Sequence, residues 1–212
     1  MPSDRLHRTL LLLVAACWGA TGASLAAQTD VALSAFGAFS GTTNGNGTAQ
    51  SPSNAAGGLI EVRHIDNPLI GYEATYSFNR ANQVYRATGT ACPLGTLPPC
   101  GSLSPTPVSA DAHEITGDWV VSVRLANLRP FALAGLGALL NEPAGNQSNT
   151  TSSVQAVYVY GAGLDWGLVP HIGLRLQYRG NLYKAPDLSR LYTSTNAFTH
   201  SSEPMLGAYL RF

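Results

Sequence analysis

The stretch FTHSSEP, residues 198 to 204, holds two side chains of types that do chemistry. His200 and Ser202 stand two positions apart, so on an extended chain they share one face. An imidazole beside a hydroxyl is the core of a nucleophilic hydrolase, provided that an acid orients the ring. Glu203 has the opposite parity, and no acid on a neighbouring segment is fixed by the sequence. The plainer reading is a pair of polar residues where a strand leaves an apolar environment. The sequence favours that reading, and no residue is expected to be catalytic.

A second pattern is electrostatic. In HIGLRLQYRGNLYKAPDL, residues 171 to 188, Arg175, Gln177, Arg179 and Asn181 alternate with Leu174, Leu176, Tyr178 and Leu182. A strand built from this segment has one cationic, hydrogen-bonding wall and one oily wall. The same alternation elsewhere collects Glu61, Arg63, Glu73, Asp118, Arg124, Asp165, Arg175, Arg179, Glu203 and Arg211 on one face. Five acids and five arginines suit a paired, hydrogen-bonded interior, because buried charges need partners. The opposite face is apolar and aromatic, with Ile60, Val62, Tyr72, Tyr76, Phe78, Trp119, Val121, Tyr158, Tyr160, Leu164, Trp166, Leu176, Tyr178, Leu206, Leu210 and Phe212. The opposite assignment, a soluble lipid-binding barrel with charges outside and an apolar lumen, fits a surface this poor in charge less well.

The elements that position these faces follow from the rest of the chain. MPSDRLHR followed by TLLLLVAACWGA has the basic and apolar regions of a signal peptide, too short to span a bilayer as a helix. Cleavage is expected near Ala26 or Ala27, giving a removed segment 1–26 and a mature domain 27–212. VAAC, ending at Cys17, offers a rival lipoprotein-type cut. Charged residues form 11% of the chain, against about 25% in soluble proteins, and they balance to zero. This composition argues against nucleic acid as a partner and for a surface covered by something other than water.

Short proline-bearing connections at 65–68, 126–130 and 168–171 alternate with long polar ones at 40–57, 87–109, 141–153 and 185–197. Eight strands result, at roughly 29–40, 57–64, 69–86, 110–125, 130–140, 154–167, 171–184 and 198–212. Several exceed the roughly 9 to 11 residues that a tilted strand needs to cross a membrane. The fold class is therefore all-β: an eight-stranded antiparallel up-and-down transmembrane β-barrel with short periplasmic turns and long extracellular loops. Eight strands enclose a space that side chains fill. Tyr76, Phe78, Trp119, Tyr158, Tyr160 and Tyr178 are expected in one interfacial girdle, and Phe131, Trp166 and Phe212 in the girdle at the turn end. The Gly- and Ala-rich strands VALSAFGAF and FALAGLGALL leave their facing open.

With its signal segment, its hairpin spacing, HIGLRLQYRGNLYKAPDL and the terminal MLGAYLRF, the chain resembles the small eight-stranded outer-membrane β-barrel proteins of Gram-negative bacteria. The resemblance implies an outer-membrane address and a monomer in contact with outer-membrane lipids. It also implies that Leu206, Leu210 and Phe212 form the C-terminal signal read by the barrel-assembly machinery. That family contains structural anchors, adhesion or resistance factors and a few lipid-modifying enzymes. The His200-x-Ser202 pair is similar to that of the lipid A deacylases among them, although Glu203 stands where they carry Asn. The function expected is structural or surface-interacting, with a polar filled lumen, no cofactor and a possible extracellular ligand at the loops. Cys92 and Cys100 bracket PLGTLPP in the second long loop, where an oxidising compartment favours a disulfide over two free thiols. No histidine stands near them at zinc-site spacing, so no metal is expected. GAGLD, 161–165, reads as glycines relieving crowding in a strand and not as a nucleotide loop.

Overall fold

The computed structural model describes residues 27–66, 69–88 and 104–212. The expected signal segment, Cys17, Cys92 and Cys100 lie outside these residues. Ten strands follow in chain order: β1 (Gln28–Ser40), β2 (Thr43–Gly45), β3 (Thr48–Pro52), β4 (Ala55–Ile65), β5 (Ile70–Ala87), β6 (Thr106–Ser122), β7 (Leu128–Pro143), β8 (Ser153–Val169), β9 (Ile172–Lys184) and β10 (Phe198–Arg211). All except β2 and β3 form a ring of antiparallel neighbours, closed where β1 pairs with β10 and β5 with β6. Closure leaves no barrel edge with unpaired backbone groups, which a lipid environment would not tolerate.

The first long connection is not a plain loop. It folds as the β2–β3 hairpin, and β3 pairs with the loop-side end of β5 from Thr48↔Ala87 to Pro52↔Gln83. Its turn is Asn46-Gly47, both at positive φ (49° and 74°), the backbone that a two-residue hairpin turn requires. At the opposite end β6 stops at Ser122, three residues short of the expected end, because Leu125 and Leu128 exchange backbone hydrogen bonds of 2.8 and 2.9 Å across a tight turn. Arg124 lies between the end of β6 and that turn and is exposed, so it does not belong to the interior set.

The two walls separate cleanly. Trp119, Leu164, Trp166, Leu176, Tyr158, Tyr160, Leu206 and Leu210 are exposed on the outside, while Glu61, Arg63, Arg175 and Arg179 are almost wholly buried inside. In β1 the inward side chains are Asp30, Ala32, Ser34, Phe36 and Ala38; in β7 they are Arg129, Phe131, Leu133, Leu139 and Asn141. Phe131 is thus corrected from the girdle to the lumen. Trp119 also moves: it pairs with Tyr72, two steps from Ile70↔Val121 beside a short turn, and so belongs to the turn-end girdle. Gly135 and Gly137 face inward, where a Cβ would run into the backbone of Gly117 and Asp118 or of Ile115. Glycine lets β6 and β7 approach closely at this crowded part of the wall.

Candidate functional site

The lumen holds two polar clusters stacked along the barrel axis. In the turn-side cluster Arg63 reaches Glu73 at 2.7 Å, Glu61 at 3.3 Å and Asp165 at 3.5 Å. Arg175 binds Asp165 at 2.6 and 2.9 Å, pairs with Glu61 and lies 3.9 Å from Asp30. Asp30 also takes Arg129 at 3.4 Å and Arg211 at 3.2 Å. Two rings fill the space between these groups. The Arg63 guanidinium lies 4.0 Å above Phe131, and those of Arg175 and Arg211 lie 5.3 and 5.0 Å from Tyr209. Guanidinium over an aromatic face is favourable, and more so away from water.

The loop-side cluster centres on Arg179. Its Nη2 lies 3.4 Å from Glu114 and 3.6 Å from Asp118 and donates to the Thr116 hydroxyl at 3.1 Å, while Nη1 donates to the Thr75 hydroxyl at 3.1 Å. Asn181 Nδ2 donates to Glu114 at 3.0 Å. Glu203, paired in register with Arg179, accepts from Ser201 Oγ at 3.4 Å but forms no ion pair among the described residues. Of the ten side chains that the sequence assigned to the interior, nine line or border it, Arg211 being part-buried, and Arg124 does not.

Three charged members of these clusters were missed. Glu114 shares the parity of Asp118 and Thr116 and was legible by counting back along the strand; it is 4% exposed. Asp30 sits on a strand whose facing its small residues leave open, and Arg129 sits in what reads as a turn because Pro130 follows it.

Above the loop-side cluster, residues 185–197 fold over the barrel mouth. Leu188 is fully buried against Tyr85, Val108 and Ala110. The Tyr85 hydroxyl donates to Pro186 O at 2.8 Å and accepts from Leu188 N at 3.0 Å. Gln50 on β3 donates to the same Pro186 carbonyl at 3.0 Å, and Asn46 in the hairpin turn donates to Ser194 O at 2.9 Å. The β2–β3 hairpin and the last loop therefore brace one another.

On the outer wall His200 and Ser202 do not form a dyad. His200 Nε2 bonds the Tyr160 hydroxyl at 2.8 Å, and Ser202 Oγ bonds the Tyr178 hydroxyl at 3.0 Å. Each side chain is engaged by a tyrosine on the next or the next-but-one strand, and neither has a carboxylate partner among the described residues. Leu206, Leu210 and Phe212 also face outward, at 60%, 50% and 76% exposure, so the terminal strand presents a continuous apolar edge to lipid. Among the described residues no group of three or more His, Cys, Asp or Glu side chains is placed to hold a metal.

No family model matches the sequence, and no curated protein does. Solved structures do match by shape. The outer membrane protein OprG of Pseudomonas aeruginosa superposes with a TM-score of 0.59 at 11% identity, covering 88% of this chain and 96% of its own. Neisserial surface protein A gives 0.54 at 14% identity over 87% and 97%. AlkL, an outer membrane protein solved in lipid bilayers, gives 0.51 at 15% over 91% and 94%. At these identities the likeness is one of fold. With a closed ring of eight strands and an apolar outer belt, the chain has the fold of the small eight-stranded β-barrels of bacterial outer membranes.

Proposed function

We propose that this protein is a structural or surface-interaction barrel with a filled, non-conducting lumen, acting as a monomer and not as a catalyst. The observation that carries the reading is the reach of Arg63. It stands on β4 and bonds Asp165 on β8, which is four strands away around a ring of eight and therefore on the facing wall. A side chain tied to both walls, with Arg175 and Phe131 packed beside it, obstructs passage along the axis. The loop folded over the mouth adds a second obstruction.

In this reading the extracellular loops and the hairpin braced against them form the surface available to an outside ligand. Export by the N-terminal segment 1–26, recognition of the Phe212 strand by the assembly machinery and a Cys92–Cys100 bridge belong to the same proposal; for the bridge, alkylation before and after reduction is the test. The lumen is tested by planar-bilayer recording of the purified protein. Absence of a large steady conductance is expected, and a stable open pore would overturn the reading.

A further inference from the structure

The charges of the lumen do not balance evenly along the axis. In the turn-side cluster four acids, Asp30, Glu61, Glu73 and Asp165, meet four arginines, Arg63, Arg129, Arg175 and Arg211. In the loop-side cluster three acids, Glu114, Asp118 and Glu203, meet Arg179 alone. The formal excess of two acids over arginine sits entirely at the loop side. The nearby cationic side chains Lys184 and Arg190 are exposed, and residues 89–103 contain no charged residue that could fold in to compensate.

A cavity of about 30 Å³ opens beside these acids, lined by Glu114, Asn141, Asn181, Tyr183, Ser201 and Glu203 among others. Its walls present polar atoms without ordinary hydrogen bonds: the acceptors Glu203 Oε2 and Asn181 Oδ1, and one donor, Asn141 Nδ2. Glu203 is 5% exposed, and its Oε2 has no hydrogen-bond partner. Asn181 is 1% exposed; it stands beside both carboxylates, but its amide nitrogen is committed to Glu114 and its Oδ1 is left without a partner. Carboxylate, amide and hydroxyl oxygens make an all-oxygen donor set, which suits a hard cation and not a thiophilic or imidazole-seeking one. The volume holds an ion with a water or two, at about 10 to 15 Å³ for each water. Buried like charges without counter-charge are costly, so this end of the lumen must take up either protons or a cation.

We propose that the cavity binds one hard divalent cation of the calcium type, held by the carboxylates of Glu114 and Glu203 and the amide oxygen of Asn181, with water completing the shell. The ion would cross-link β6, β9 and β10 just beneath the loop that covers the mouth. Its binding does not depend on the lumen's being non-conducting.

The test is equilibrium dialysis of the chelator-washed barrel in non-ionic detergent against radioactive calcium at neutral pH, with folding of every sample verified by its heat-dependent gel mobility. One calcium per chain is expected. Glu203→Gln and Glu114→Gln, which keep shape and remove charge, should each weaken binding by roughly tenfold or more, as a calcium site does on losing a charged ligand. His200→Ala, on the outer wall, should leave it unchanged. If one variant fails to fold, the other decides. Calcium retention no greater than in the detergent blank overturns the proposal, as does retention that neither variant lowers. So does a protonated-carboxyl infrared band at neutral pH that is lost in Glu203→Gln and unaffected by calcium, since a proton would then hold the place assigned to the ion.

Discussion

Arg179 shows how much one side chain can hold in a lumen of this size. Its guanidinium touches Glu114, Asp118, Thr75 and Thr116, so it ties β9 to both β5 and β6. Replacing it by Leu keeps most of the volume but leaves two carboxylates and two hydroxyls facing an apolar group. Removing one partner of a buried ion pair costs about 3 to 5 kcal/mol, and a loss of this size is expected for Arg179→Leu in urea titration of the detergent-folded barrel. A midpoint unchanged within error would mean that water already solvates these charges. On the outer wall the expectation is the reverse. His200 and Ser202 bond to Tyr160 and Tyr178 and to no acid among the described residues, so nothing holds the imidazole as a general base toward Ser202. Lipid A from cells overproducing the protein should keep all its acyl chains by mass spectrometry, with or without His200→Ala or Ser202→Ala. A missing chain restored by either substitution would point to a deacylase.

At the scale of elements, strand number and the facing of most strands were legible because one wall is oily and the other polar, which makes the period of two visible. Legibility failed where that contrast disappears. In β1 and β7 the alternating residues are Ala, Gly, Leu and Phe on both sides, and only the structure shows Phe131 turned inward under Arg63. The β2–β3 hairpin is polar on both faces and so carries no hydrophobic period, although Asn46-Gly47 is a hairpin turn signal in its own right. That hairpin and the loop 185–197 stand or fall together, since Tyr85, Gln50 and Asn46 all bond to the loop. Leu188 is its buried anchor. Truncating a buried leucine to alanine costs about 2 to 5 kcal/mol, more than a loop held by a few hydrogen bonds has to spare. Leu188→Ala should therefore release the loop without unfolding the barrel, seen as faster tryptic cleavage after exposed Arg190 while heat-dependent gel mobility is retained. Cleavage at the wild-type rate would show that the hydrogen bonds alone keep the loop down.

For the whole molecule, Phe212 offers a way to separate what stabilises the barrel from what assembles it. Phe212 has 76% of its surface exposed, points into the lipid-facing belt and is tied to the fold by one backbone bond, from its N–H to Thr29 O at 2.9 Å. Its side chain fills no core space, so the cavity cost that attends truncation of a buried phenylalanine does not arise. Ring closure rests on the pairing of β1 with β10 from Asp30↔Arg211 onward, which leaves Phe212 outside the strand. Deleting Phe212 should accordingly change the urea midpoint of protein refolded in detergent by about 1 kcal/mol or less, the net value of one hydrogen bond. If the terminal aromatic residue is read by the assembly machinery, the same deletion should sharply lower the amount of folded, heat-shifting protein in the outer-membrane fraction of cells. The two measurements move apart only if the residue is a signal. A parallel fall in both would make Phe212 a structural residue, and no change in either would place the signal in Leu206 and Leu210 or elsewhere.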